Sequence, residues 1–191
     1  MKKIEWVYRE ILYQAMENEK PFLKQTWLSK TCRISIGNVN KALKPLENIN
    51  CIEKKPRGFL VIQPKKILTY WASIRNLQKD IVFRTHVNKN VNEIEKELPP
   101  VMFTAYSSYK FRFKSIPSEY SEVIVYGDPR KIKERFETVK GVQNLIVLKQ
   151  DPHLLGFKEV PIAQLYVDLW NLNTWYANDF LKALEEKIKV V

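Results

Sequence analysis

The sequence predicts an α+β protein in two parts, residues 1–64 and residues 65–191. Three observations carry that expectation. Apolar residues near the N-terminus recur at helical spacing, with Ile4, Val7, Ile11 and Ala15 in one stripe. The second part alternates β-rich runs ("DIVFRTHV", "EVIVYGD", "NLIVLKQ") with helical stretches. The chain is 45% hydrophobic and 12% aromatic over 191 residues, enough to bury a core.

In the first part, the stripe predicts a helix over about Lys3–Met16, widened by Tyr8 and Leu12 and ended by a polar stretch with Pro21. A second helix is expected over Thr26–Cys32, opening on a threonine hydroxyl. Ser35 is placed to cap a third helix whose inward positions are Val39, Ala42, Leu43 and Leu46. Pro45 lacks a backbone donor and is expected to kink or end that helix. "CIEKKPRGFLVI", residues 51–62, then reads as strand, turn and strand. Three helices followed by a basic-tipped hairpin resemble a winged helix-turn-helix domain.

In the second part, Pro64 opens a helical connector, "PKKILTYWASIRNLQ". A strand over 80–87 and a helix over 92–98, stopped by Pro99 and Pro100, come next. The stretch 101–113 is expected to be helical in its first part. A strand over 122–128 leads to "DPRKIKERFETV", with Asp128 as helix cap and Pro129 at the first helical position. A strand over 144–150 follows, then a helix from Pro161 and a closing helix in "TWYANDFLKALEEKIK". The second part is therefore a mixed α/β unit, with a nucleotidyltransferase-like domain as one option.

The net charge is +11, from 32 Lys and Arg against 21 Asp and Glu. Residues 1–64 hold 12 basic and 6 acidic residues, so they carry more than half of the excess. Such a balance attracts polyanions, with double-stranded DNA the expected partner. With Val39, Leu43 and Leu46 turned inward, Asn40, Lys41 and Lys44 face outward and Asn38 flanks them. Asn pairs with adenine and Lys with guanine or phosphate in the major groove. The predicted DNA-contacting residues are Ser35, Asn38, Asn40, Lys41 and Lys44, with Lys54, Lys55 and Arg57 as phosphate contacts from the wing. The competing reading is a winged helix that docks protein, its lysines only solvating a surface.

Signs of catalytic chemistry are sparse. The 5 glycines are scattered, and GxSxG and HExxH are missing. Asp128 in "YGDPRK" lacks the closely spaced second carboxylate that a metal-dependent nucleotidyltransferase needs. His86 and His153 stand alone in sequence, with His153 expected in a loop. Cys32 and Cys51 form no CxxC pair and read as packed, reduced thiols. The expectation is a non-enzyme without metal or cofactor, although a nucleotidyltransferase-like enzyme remains the second alternative. The N-terminus does not read as a signal peptide, and no apolar run approaches a membrane span. A cytoplasmic protein is expected.

Near the end stands "VPIAQLYVDLWN", and farther on "ANDFLKAL". Together with the winged-helix pattern, this resembles the AbiEi-type antitoxins, transcriptional regulators of type IV toxin–antitoxin systems. The matching positions are Pro161, Gln164, Leu165, Tyr166, Asp168, Leu169 and Asn171. Thr104 and Ala105 match a second family segment, in which Ser107 and Ser108 replace small alanines. The chain departs from the family in lacking a glycine at 101–108 and in its loop between Asn171 and Ala177. The resemblance implies repression of its own operon as a homodimer on inverted repeats. It also implies a cognate nucleotidyltransferase-like toxin, neutralised without enzymatic activity.

Projected on a helix, Ile162, Leu165, Tyr166, Leu169 and Trp170 form an apolar stripe. Gln164, Asp168 and Asn171 lie along the other side. Asp168 is expected at the border, half-exposed or tied to a Lys, Arg or backbone donor, holding architecture rather than performing chemistry.

Overall fold

The computed structural model describes residues 1–137 and 139–188 and shows an α+β chain with two sheets. Helix α1 spans Lys3–Leu12 and passes into a π-helical turn over Tyr13–Glu17. The expected helix is thus continuous but changes its winding before its end. A short strand β1 (Phe22–Leu23) precedes α2 (Gln25–Thr31) and α3 (Ile36–Asn48). The hairpin β2 (Ile52–Lys55) and β3 (Gly58–Val61) follows, and β1 lies antiparallel on β3, giving the order β1-β3-β2.

Local chemistry explains most of these boundaries. The Ser35 side chain accepts the Asn38 N–H at 3.3 Å, so it caps α3 as expected. Thr26 does not cap α2, which begins one residue earlier behind Lys24. Pro45 does not end α3, which continues to Asn48; the lost bond is one to the carbonyl of exposed Lys41. Strand β1 was not expected. It approaches the hairpin so closely that a Cβ on Gly58 would lie 2.4 Å from the Leu23 carbonyl oxygen.

The remaining helices are α4 (Pro64–Ile74), α5 (Val91–Glu97), α6 (Ala105–Phe113), α7 (Pro129–Arg135), α8 (Ile162–Trp170) and α9 (Ala177–Lys187). The strands are β4 (Ile81–Thr85), β5 (Met102–Thr104), β6 (Val123–Gly127) and β7 (Leu145–Lys149). They form a four-stranded sheet in the order β4-β7-β6-β5. Only β6 and β7 are parallel, and α7 connects them as a βαβ crossover. Asp128 caps α7 by accepting the Arg130 N–H at 2.9 Å, and Pro129 takes the first helical position. The helix expected over 128–139 stops at Arg135, and Val139 instead bridges His86. Thr138 and Lys189, inside the expected helices, lie outside the described residues.

The stretch 101–113 corrects the expectation of an initial helix. Met102–Thr104 pair with β6, and the helix starts only at Ala105. Ala105 turns the chain with φ 51°, a left-handed conformation that costs a non-glycine residue about 1–2 kcal/mol. Pairing along β5 and the packing of α6 hold it there.

The four-stranded sheet is covered on both faces, in keeping with the near-continuous apolar runs of β6 and β7. Val123, Val125, Leu145 and Val147 pack with Ile94, Ile132 and Phe136 on one side. Ile124, Tyr126 and Leu148 join the main core on the other. That core runs without a break from Trp6 to Ile188 and includes residues on both sides of Pro64. Helix α1 joins its parts, packing on α3, α4 and α8.

Candidate functional site

The predicted DNA-contacting residues gather on α3 and the hairpin. Val39, Ala42, Leu43 and Leu46 are buried, which leaves Asn40, Lys41 and Lys44 exposed on the opposite face. Asn38 is half-buried, and Ser35 is exposed with its oxygen engaged in the cap. Arg57 sits in the hairpin turn with φ 67°, exposed and without an ion-pair partner among the described residues. Among the first 64 residues, Phe22, Trp27 and Ile36 are large apolar side chains left exposed.

Two lysines of the β2–β3 hairpin are engaged rather than free. Lys54 Nζ lies 2.9 Å from Glu47 on α3, and Lys55 Nζ lies 2.6 Å from Glu53. Both pairs are solvent-accessible, and such pairs contribute about 0–1 kcal/mol. Arg33, in the turn between α2 and α3, adds an exposed cation that the sequence reading missed. Its left-handed backbone, φ 51°, is invisible in the residue types around it.

The motif residues near the C-terminus converge on a buried polar centre. Asp168 is fully buried: of the two expected arrangements, half-exposure does not hold, and the tie to a cation is present as a contact with Arg75. Tyr126 and Thr104 donate to its Oδ2 at 2.7 and 2.8 Å, and Gln164 Nε2 donates to its Oδ1 at 2.9 Å. The nearest cation is Arg75, whose Nε lies 3.9 Å from Oδ1, an ionic contact too long for a hydrogen bond. Burial pushes the Asp168 carboxyl above its ordinary value, although Arg75 and the three donors pull the other way. Asn171 donates to the Val167 and Ala72 carbonyls, tying the end of α8 to α4. The Tyr166 hydroxyl donates to Glu185 on α9 at 2.9 Å. The reason for the burial is position: α8 packs against α4, α6 and α9, so its polar side faces the interior.

Gln164 links this centre to a second one. Its Oε1 accepts from Arg9 Nε at 2.9 Å, and the Arg9 guanidinium grips Asp151 with two bonds of 3.0 and 2.6 Å. Arg9 is 0% exposed, and that carboxylate is the counter-charge its burial requires. Burial pushes the Asp151 carboxyl up, but Arg9, the Leu154 N–H and His153 outweigh it and hold it below the ordinary value. None of these pairings was legible from spacing, because the partners lie 142 and 155 residues apart.

His153 lies in the turn after β7, in the loop expected for it, but it is buried and partnered rather than alone. Arg9 Nη1 lies 3.1 Å from its Nδ1, which must therefore accept. The ring proton then sits on Nε2, which donates to Glu10 Oε2 at 3.0 Å. Cys32 Sγ is 3.8 Å from the same nitrogen and donates its own proton toward the Trp6 carbonyl at 3.7 Å. Both imidazole nitrogens are thus engaged, and neither is free to take the thiol proton. Burial first, and Glu10 second, push the Cys32 thiol up to about 12, so it is not a thiolate at neutral pH.

Among the described residues, no group of three or more His, Cys, Asp or Glu side chains is placed to hold a metal ion. Asp128 spends its Oδ1 on the helix cap. No helix among the described residues is long and apolar enough to cross a membrane. No protein family, curated protein or solved structure matches the chain.

Proposed function

We propose that this chain is a DNA-binding transcriptional regulator of the antitoxin type, using residues 1–64 as a winged helix-turn-helix. The observation that carries the reading is the outward face of α3. It presents Asn40, Lys41 and Lys44 to solvent on a helix whose other side is locked into the core. Amide and ammonium groups on a rigid exposed helix suit a major groove, and Arg33 and Arg57 flank it as phosphate contacts. In this reading the protein binds inverted repeats as a homodimer, represses its own operon, and counteracts a cognate nucleotidyltransferase-like toxin. The decisive experiment is selection of bound duplexes from a random pool. A palindromic consensus whose binding weakens with salt supports the reading, and no enrichment over the input pool overturns it.

A protein-docking winged helix is the second reading. The exposed Phe22, Trp27 and Ile36 favour it, as does the pairing of Lys54 and Lys55 with nearby carboxylates. Absence of salt-dependent duplex binding by the wild type would favour this reading over the first.

A further inference from the structure

A cleft of about 790 Å³ opens between α2, the π-helical turn after α1, and the loop around Phe157. That size suits a small ligand, since such pockets run to roughly 300–1,000 Å³. Its sides are aromatic. Tyr13 and Phe157 meet edge to face at 4.9 Å, and Trp27 lines the α2 side while remaining 38% exposed. Deeper in, the Trp6 ring stacks on His153 with 12° between planes. The π-helical turn itself points the same way, because such turns recur at functional sites.

The state of each charged group in the cleft determines the chemistry of its ligand. The three carboxylates are already engaged. Glu10 accepts from Gln14 and His153, Glu17 from Arg112 and the Ile162 N–H, and Glu159 lies 3.4 Å from Arg112. The cations Arg33 and Lys158 are exposed and have no ion-pair partner among the described residues. The Trp6 indole N–H is buried and has no hydrogen-bond partner among them either. These unengaged groups are all donors, and a buried donor left unpaired costs about 1–3 kcal/mol. A complementary ligand therefore carries acceptors and negative charge on a flat ring.

We propose that this cleft binds a small planar aromatic anion. Its ring stacks against Trp27 and the Tyr13–Phe157 pair, and its anionic group meets Arg33 or Lys158. An aromatic carboxylate and a mononucleotide are the two sources of that chemistry. Because the cleft joins α2 to the loop around Phe157, occupancy ties the helix preceding α3 to the second part of the chain. That consequence for DNA rests on the function proposed above; the binding site does not.

The test is calorimetric titration of the full chain with naphthalene-2-carboxylate and, separately, with adenosine 5′-monophosphate. At least one is expected to bind saturably, one to one, with a Kd below about 1 mM. Trp27→Ala should weaken it roughly tenfold. Arg33→Glu and Lys158→Glu together should weaken the carboxylate roughly tenfold while leaving neutral naphthalene-2-carboxamide nearly unchanged. All three residues are exposed or partly exposed, and thermal melting checks that the variants remain folded. Binding of only the nucleotide or only the carboxylate identifies the source. Absence of saturable binding by both anions, or affinities that the substitutions leave unchanged, overturns the proposal. A duplex-binding titration with and without the bound anion tests the coupling. Anion binding by a protein that binds no duplex would retire the regulator reading and leave the site standing.

Discussion

The Tyr126 hydroxyl donates to Asp168 at 2.7 Å across the interface between β6 and α8. Thr104 and Gln164 donate to the same carboxylate, so each of its oxygens faces donors. Asp168→Asn replaces one acceptor oxygen with an NH₂ group that points at a donor. The expected loss is about 1–3 kcal/mol, or about 2–4 °C in melting temperature per kcal/mol. Thermal unfolding followed by circular dichroism checks it. Lost function at unchanged stability would contradict the structural role assigned to Asp168.

Asp151 should govern part of the acid sensitivity. Arg9 holds its carboxyl below the ordinary value in the folded chain. A depressed folded value gives stability that is present above the unfolded pKa of about 3.9 and lost as pH falls through the folded value. Asp168 has the opposite sign, because burial raises its carboxyl. Wild type and Asp151→Asn should therefore converge in stability below about pH 4, with the variant markedly weaker at neutral pH. Urea melts across pH measure both curves, and a constant gap would remove Arg9–Asp151 as the cause.

Gly58→Ala should detach β1 from the hairpin. The added methyl would meet the Leu23 carbonyl oxygen at 2.4 Å and the Phe22 ring at 2.8 Å. Relief requires backbone movement, at a cost of about 1–3 kcal/mol. Amide exchange at Val61, which donates to the Pro21 carbonyl, should accelerate in the variant. Unaltered exchange there would show that the close approach is not retained in solution.

On duplex DNA, Lys41→Ala and Arg57→Ala should each weaken binding and reduce the salt slope by about 1. Lys54→Ala should do less, because Glu47 already offsets that charge. Anisotropy titrations at several salt concentrations rank the three. An equal loss for Lys54→Ala would mean that its pair with Glu47 opens on the DNA.

Both thiols should resist alkylation. Cys32 and Cys51 are buried, and burial raises both thiol pKa values. Iodoacetamide labelling followed by mass spectrometry should be slow for native protein and complete in denaturant. A fast native phase would place one of them at an accessible surface.

Much of the scaffold was legible in the sequence. Runs such as "EVIVYG" and "LIVL" have no polar interruption because both faces of their strands are covered. Asp128–Pro129 and Ser35 mark helix starts by chemistry that acts within a few residues. The inward face of α3 followed from its period, and with it the exposure of Lys41 and Lys44. Less legible were β1, whose two residues carry no periodicity, and Ala105, whose left-handed turn depends on the strand before it.

Local sequence thus determined which segments wind, which extend and which helix face turns inward, because those choices depend on neighbours one to four residues away. Tertiary structure alone decided the polar interior. Asp168 looked like the edge of an amphipathic helix until α4, α6 and the sheet enclosed it. Arg9, Asp151, His153 and Gln164 acquire their roles only where α1, α8 and the loop after β7 meet. A charge can be buried only if its partner is delivered to it, and that delivery is a property of the packed chain rather than of any stretch of it.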